Sequence, residues 1–107
     1  MHFPDYEEMD EPLLCFILLN GGPDHAVQPN VVYEPLADFF GLTKEDKIKA
    51  RADGYAGRQW HNRVQWARQR LVNQGYLVGS LRNVWRLSAA GVKRASLVAD
   101  KYAALKR

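Results

Sequence analysis

The chain has 107 residues, 47% of them hydrophobic, and a formal net charge of +3, which suits one folded domain with a modest core. Its longest apolar run, Pro12 to Leu19, is too short for a membrane span of about 18 residues and follows five acidic residues, so it does not resemble a secretory signal. The single Cys15 excludes an internal disulfide and favours a buried thiol in the cytoplasm.

The N-terminal part of the chain predicts two helices. The first covers residues 5–20, and its C-terminal half is apolar on nearly every face, which indicates central core. The sequence NGGPD, Asn20 to Asp24, ends this helix, because glycine can take the left-handed cap conformation and proline cannot continue a helix. A short extended piece is expected around Ala26 to Gln28. The second helix covers about Val32 to Phe40, with an inner face made by Val32, Leu36, Phe39 and Phe40.

The middle of the chain predicts a short helix, a connector and a longer helix. TKED, Thr43 to Asp46, is a capping box for a short basic helix that continues to about Arg51. ADGYAG, Ala52 to Gly57, predicts a flexible connector. The longer helix covers residues 58–74, and Gly75 closes it.

A β-hairpin and a last helix are predicted to follow. Tyr76 to Val78 and Val84 to Leu87 are β-prone and are joined by a loop, Gly79 to Asn83. Ser88 caps a helix over residues 88–105, whose inward stripe is Val92, Ala95, Ala99 and Tyr102. Three helices, a hairpin and a closing helix predict a mainly α fold with a small β-hairpin wing (α+β), a winged helix-turn-helix, as a single domain over residues 1–107.

Charge is strongly polarised along the chain. Residues 1–43 hold eight carboxylates and no Lys or Arg, a net charge of −8, whereas residues 44–107 hold fifteen Lys and Arg against four carboxylates, a net charge of +11. Residues 54–99 contain no Asp or Glu at all. A surface that merely keeps a protein soluble usually mixes both signs. The distribution therefore favours a basic side that binds a polyanion.

The helix over residues 58–74 has two contrasting faces. Placing its residues at helical spacing puts Trp60, Val64, Ala67 and Leu71 on one narrow stripe, which we predict to face the core. On one border, the ring of Trp66 is expected to wedge against the second helix, with the stems of Arg63 and Arg70 over it. The opposite face, with His61 and Arg68 along its other border, carries Arg58, Asn62, Gln65, Gln69 and Asn73.

This amide-rich face matches the chemistry of DNA recognition. Asn and Gln each offer a donor and an acceptor, which fit the N6–H and N7 edge of adenine in the major groove, while arginines reach phosphates or guanine. The wing loop adds small or cationic groups suited to phosphate contact. The alternative interpretation is a merely solvated helix face. The candidate DNA-binding residues are Arg58, His61, Asn62, Arg63, Gln65, Trp66, Arg68, Gln69, Asn73, Ser80, Arg82 and Asn83.

The sequence NRVQWARQRLVNQGYLVGSLRNVWRLSAAG, Asn62 to Gly91, resembles the N-terminal winged-helix domain of the Mrr family of restriction-system proteins. A looser likeness extends back through PLADFFGLT to the first helix. The resemblance implies a double-stranded DNA recognition module, normally fused to a nuclease domain, in systems that attack foreign or modified DNA. The matching positions are Asn62, Arg63, Val64, Trp66, Ala67, Arg68, Leu71, Gly75, Leu77, Trp85, Leu87, Ser88 (where the family usually has Thr) and Gly91.

The resemblance also suggests a sharper hypothesis, that the domain recognises a methylated base. In shape the C-terminal half is similar to the winged-helix readers of methylated adenine in methyl-directed restriction enzymes. Trp66 or Trp60 would meet the methyl group, and Asn62 or Gln65 would contact the base edge. The alternative is that both tryptophans are core and that binding ignores methylation.

No catalytic or metal-binding pattern competes with DNA binding. Glu45-Asp46-Lys47 has the Glu-x-Lys spacing of a metal-dependent nuclease, but it opens a helix and is better explained by capping. The three histidines and the cysteine have no metal-ligand spacing. We therefore expect no catalysis, no metal and no cofactor in this chain alone.

The main alternative function is a protein-interaction or dimerisation winged helix without intrinsic DNA specificity. The acidic N-terminal segment is a second, oppositely charged surface that would dock a partner, mimic DNA or keep DNA away from that side. Leu97, which lies off the inward stripe of the last helix, marks a candidate self-association face and leaves a homodimer open.

Overall fold

A mainly helical fold with a three-stranded antiparallel sheet is seen in a computed structural model, which describes residues 3–107. It is the predicted winged helix-turn-helix. Short 3₁₀ turns cover Gly22–Asp24 and Pro29–Val31. The helices are α1 (Tyr6–Asn20), α2 (Tyr33–Phe39), α3 (Lys44–Ile48), α4 (Gln59–Asn73) and α5 (Ala89–Val98), and the strands are β1 (Ala26–Val27), β2 (Leu77–Val78) and β3 (Trp85–Leu87).

Helix α1 lies at the centre of the core, as its apolar C-terminal half predicts. Leu13, Leu14 and Ile17 are fully buried, and α4 and α5 both pack against this helix. Cys15 is a buried thiol, as predicted, with its Sγ 3.7 Å from the carbonyl oxygen of Ala95. Burial raises the pKa of Cys15 to about 11, so the thiol stays protonated at neutral pH. Among the described residues, no helix has the length and apolar character needed to cross a bilayer.

The wing belongs to a larger sheet than the predicted hairpin. The strands lie in the order β1-β3-β2, so the extended piece at Ala26 pairs with Arg86 and completes the sheet. On the other side, β2 pairs with β3 through Leu77 with Leu87 and Val78 with Arg86. Trp85 and Leu87 are buried and Arg86 is exposed, the alternation expected of a strand with one face on the core.

A cluster of hydrogen bonds closes the base of the wing. The Ser88 hydroxyl donates to the carbonyl oxygen of Gly75 (2.6 Å) and accepts from the backbone N–H of Gly91 (3.1 Å), which confirms Ser88 as a helix cap. The Ser88 N–H donates to the carbonyl oxygen of Tyr76 (3.0 Å). A Cβ at Gly91 would overlap that same oxygen, so only glycine allows this close approach. The end of α4 and the start of α5 are thus joined directly.

The last predicted helix, over residues 88–105, is wrong in its second half. Helix α5 ends at Val98, whose φ of −123° is not helical, and a 3₁₀ segment (Ala99–Leu105) continues with a kink at Tyr102. The change of direction serves tertiary contacts, because the Tyr102 hydroxyl donates to Glu11 Oε1 (3.2 Å) and Leu105 becomes buried. The segment after Val98 therefore departs from a straight helix because this lets Tyr102 and Leu105 pack against α1.

The segment between α3 and α4 also differs from its prediction. The capping box of Thr43 and Asp46 is confirmed, but α3 stops at Ile48 and not near Arg51. Residue Ala50 instead forms an antiparallel β-bridge with Arg58. The expected flexible connector is consequently a closed hairpin-like loop, which we call the 50–58 loop.

The inner face predicted for the second helix needs one correction. Val32 and Leu36 are fully buried as expected, and so is Ala37. Phe39 is 39% exposed, because the helix is only two turns long and its last residues lie at the edge of the core. Its ring contacts those of Phe40 and Tyr102, with centroids 5.2 and 5.7 Å away.

Candidate nucleic-acid interface

The two tryptophans of helix α4 differ in burial: one lies in the core and the other on the surface. Trp60, Val64, Ala67 and Leu71 form its buried stripe, as predicted. Trp60 is 1% exposed, and its indole N–H donates to the carbonyl oxygen of Tyr33 (2.7 Å). Trp66 is 57% exposed and does not wedge into the core, so the prediction of packing against the second helix is wrong. The exposed face of α4 therefore carries a free indole.

An open groove of about 760 Å³ runs between this face of α4 and the wing. Six of the candidate residues line it: Asn62, Gln65, Trp66, Arg68, Gln69 and Asn83. The other lining residues are Pro29, Tyr33, Arg51, Leu81 and Trp85. No carboxylate lines this groove, which gives it the donor-rich and cationic character that a polyanion requires.

Tyr33, at the start of α2, connects the polar groups of the groove. Its hydroxyl accepts a hydrogen bond from Gln65 Nε2 (3.0 Å), and its ring stacks on that of His61 with centroids 4.0 Å apart and planes at 15°. The same ring meets Trp85 edge-on at 6.1 Å. A single aromatic residue thereby holds the Gln65 amide in place before any ligand arrives.

Two further amides on α4 hold each other. Gln69 Nε2 donates to Asn73 Oδ1 (3.1 Å), one helical turn away. Gln69 lines the groove, whereas Asn73 is exposed beyond its lining. Because an amide has two N–H donors and two acceptor sites, both glutamines retain free hydrogen-bonding capacity toward the groove.

The arginines of α4 point mainly to the protein rather than to solvent. Arg63 Nε donates to the carbonyl oxygen of Pro4 (2.8 Å), and its guanidinium lies 4.5 Å from the Tyr6 ring centre. Arg68 Nη2 donates to the Val78 carbonyl oxygen (3.4 Å) on β2, and burial lowers the pKa of this guanidinium. Arg63 thus lies on the α1 side of the helix, away from the groove. Arg68 lies in the groove and holds strand β2 of the wing through its hydrogen bond to Val78.

The remaining candidates lie at the two ends of the interface. Arg58 and His61 border a second groove, of about 750 Å³, beside α2 and α3. Burial, and secondly the Arg58 charge, lower the pKa of His61, so its imidazole is neutral at physiological pH. On the wing, Ser80 and Arg82 are exposed, and Asn83 adopts a left-handed conformation (φ 57°) at the edge of the first groove.

Several groove residues were not among the candidates. Arg51 lies in the basic part of the chain, residues 44–107, shortly before the stretch without carboxylates, so its charge was a usable signal. Tyr33, Leu81 and Trp85 carry no such signal, because their position beside α4 depends on contacts between distant parts of the chain. Within residues 3–107 no group of His, Cys, Asp or Glu comes together to hold a metal ion, and His2 lies outside the described residues.

A partly buried ion pair ties the acidic helix α1 to α4. Asp10 is 5% exposed, and its Oδ2 lies 3.4 Å from Arg70 Nη2. Desolvation by burial raises the pKa of Asp10, and this outweighs the lowering by Arg70 and Arg94. The net effect of the site is thus to favour the protonated carboxyl.

Substitution of Asp10 should reverse the usual pH signature of an acidic residue. A carboxyl with a raised pKa holds its proton more tightly in the folded state, so its contribution to stability falls as pH rises from about 4 toward the folded-state pKa and is constant above it. We expect the unfolding free energy of Asp10→Asn to rise relative to that of the parent over this window. Urea unfolding at a series of pH values, with exposed Asp100→Asn as control, measures this. An unfolding free energy that shifts in favour of the parent as pH rises through this window would contradict the prediction.

Comparison with known proteins gives one result for the whole region just described. A family model, the Mrr N-terminal domain, matches residues 6–96, from the start of α1 into α5. No curated protein and no solved structure matches the chain. The match covers most of the sequence, including the groove and the wing. The chain therefore belongs to the Mrr N-terminal domain family, whose members are separate N-terminal modules associated with restriction systems.

Proposed function

We propose that this domain is the double-stranded DNA recognition module of a restriction system. Helix α4 would enter the major groove and the wing would contact the neighbouring backbone. The observation that carries the proposal is the open groove of α4, in which Asn62, Gln65 and Gln69 stand beside exposed Trp66 without any carboxylate. An α-helix of this size fits the major groove, and amide side chains match the adenine edge there.

The charges around the groove support a polyanionic ligand. Arg51 and Arg68 line the groove, and exposed Arg82 extends from the wing. Two acidic residues of α1, Glu7 and Asp10, lie on the other side of α4 beside Arg70, with which Asp10 forms an ion pair. A molecule charged in this way approaches DNA with its basic side first.

The exposure of Trp66 sharpens the methylated-base hypothesis. Trp60 is excluded as a methyl contact by its burial, which leaves Trp66 as the aromatic that would meet the methyl group. Asn62 and Gln65 line the same groove and would contact the base edge. Comparing methylated and unmethylated duplexes of one sequence decides between this hypothesis and methyl-blind binding, and equal affinities would reject it.

The first test is an anisotropy titration with a randomised duplex and its adenine-methylated and cytosine-methylated forms, at two salt concentrations. DNA binding through phosphates weakens steeply with salt. Salt-sensitive binding with a preference for one methylated duplex would support a modification reader, and binding without preference a general DNA module. Absence of binding at low salt would overturn the proposal and favour a protein-interaction domain, for which Leu97, 78% exposed on α5, is the best candidate contact.

We also propose that nuclease chemistry is supplied by a fused or associated partner. Membership of a family that is associated with restriction systems supports this proposal. DNA cleavage by the isolated domain in the presence of Mg²⁺ would contradict this.

Arg82→Ala should weaken DNA binding equally for all sequences. Arg82 is exposed at the wing tip, so its replacement removes a phosphate contact without disturbing the core. We expect the slope of log K against log salt to become shallower by about 1. The matched control is Arg107→Ala, an exposed arginine near the far end of α1, which should leave this slope unchanged. An equal effect of both variants would mean that only overall charge matters.

A further inference from the structure

The 50–58 loop is a built structure at the entrance to α4. Besides the Ala50–Arg58 bridge, the Arg51 N–H donates to the carbonyl oxygen of Gly57 (3.2 Å), and the Gln59 N–H donates to that of Lys49 (2.8 Å). These bonds fix both ends of the loop directly before the first turn of α4. The loop therefore has a defined direction relative to the proposed recognition helix.

The tip of the loop is organised around one carboxylate. Asp53 accepts hydrogen bonds from Arg51 Nε (3.1 Å) and from the backbone N–H of Tyr55 (3.1 Å), and it forms an ion pair with the Arg51 guanidinium. That guanidinium lies 5.2 Å from the centre of the Tyr55 ring. Tyr55 is nevertheless 73% exposed. An aromatic side chain is thus held at the surface without being used by the core.

The loop is continuous with the proposed DNA interface. Arg51 lines the first groove together with Asn62 and Trp66, while Arg58, at the other end of the loop, lines the second groove. With Lys49, three cations stand at the base of the loop against the single carboxylate of Asp53. Tyrosine hydroxyls and arginines are both common donors to DNA phosphates.

We propose that the 50–58 loop is a second DNA-contacting arm, in addition to the wing. The Tyr55 hydroxyl donates a hydrogen bond to the sugar-phosphate backbone, and Arg51, at the base of the arm, lines the first groove. Asp53 shapes the arm but opposes DNA through its charge. This inference rests on the proposed function, because it assigns a further contact to the same ligand.

The arm is tested by anisotropy titration of the whole chain with a randomised duplex at several salt concentrations. Tyr55→Ala should weaken binding about tenfold, and Tyr55→Phe, which lacks only the hydroxyl, should reproduce most of that loss. Thermal unfolding should be nearly unchanged in both, since Tyr55 lies outside the core. If both variants bound DNA with the affinity of the parent, the proposal that this loop contacts DNA would be overturned.

A charge-matched pair gives an independent test. Asp53→Asn keeps an acceptor for the Tyr55 N–H and removes the negative charge, so we expect tighter binding. Asp100→Asn makes the same change in net charge at an exposed site of the C-terminal 3₁₀ segment. The proposal requires a clearly larger gain in affinity from Asp53→Asn, and equal gains would overturn it. Failure of the parent to bind DNA would overturn the proposed function as well, so the two failures are distinguishable.

Discussion

Replacing Trp60 by alanine is expected to destabilise the domain by about 3–5 kcal/mol, whereas Trp66→Ala should change its stability by no more than about 0.5 kcal/mol. Both residues lie on α4, but Trp60 is 1% exposed and Trp66 57%. Loss of Trp60 leaves a cavity beside Phe40 and frees the Tyr33 carbonyl oxygen from its hydrogen bond. Loss of Trp66 creates no cavity, because most of its side chain already lies in solvent.

Urea unfolding of the two variants measures this contrast, and DNA titration supplies its functional half. Trp66→Ala should weaken the proposed preference for a methylated duplex while the protein stays folded. Trp66→Phe, which keeps an aromatic face, should retain part of that preference. Equal destabilisation by Trp60→Ala and Trp66→Ala would show that the exposed indole has a packing role, and would leave the methyl hypothesis without its aromatic group.

Gln65→Ala is expected to relax base preference at a cost of about 1–3 kcal/mol for each bidentate pair of hydrogen bonds that the amide would make to a base. The reason is that an alanine offers neither the donor nor the acceptor that would match a base edge. Gln69→Ala should behave in the same way at a neighbouring base. The control is Gln74→Ala, an exposed amide at the end of α4 that does not line the first groove. Base preference is measured by selection from a randomised duplex pool.

Tyr33→Phe should produce part of the same effect although Tyr33 is not on α4. The substitution removes the hydroxyl that accepts from Gln65 Nε2 and keeps the ring that stacks on His61. The Gln65 amide then has more orientations to give up on binding. Because the two residues act through one hydrogen bond, the double variant should be impaired by less than the sum of the two single effects. Strict additivity, or a parent-like profile for Gln65→Ala, would contradict the role assigned to Gln65.

Local patterns predicted much of this architecture because their causes are local. The buried stripe of α4 follows from helical spacing of apolar residues, and the caps at Thr43 and Ser88 follow from hydroxyls placed three residues before an available N–H. The α4 boundaries were predicted to within one residue at each end. The left-handed Gly75 (φ 86°) after α4 was equally readable.

The features that sequence patterns did not predict arise from contacts between distant residues. The extended piece at Ala26–Val27 was expected, but its pairing with β3 was not, because a two-residue strand carries no periodic signal that would assign it to a sheet. The break of the last helix at Val98 is decided by packing of Tyr102 and Leu105 against α1, which no propensity encodes. Likewise, the hydrogen bond between Gln65 and Tyr33 spans 32 positions of sequence. The side taken by Trp66, at the border of the helix stripe, depended on such neighbours.

The closed base of the wing has a consequence for how this domain can change over evolutionary time. Ser88, Gly75 and Gly91 join the ends of α4 and α5 independently of the residues between β2 and β3. Insertions or deletions in residues 80–83, beyond the close contact of Gly79 with Val72, therefore need not be transmitted to the hydrophobic core. Exchanging the wing-tip residues between relatives would therefore change the contacts that the domain makes with its ligand, while the fold is preserved.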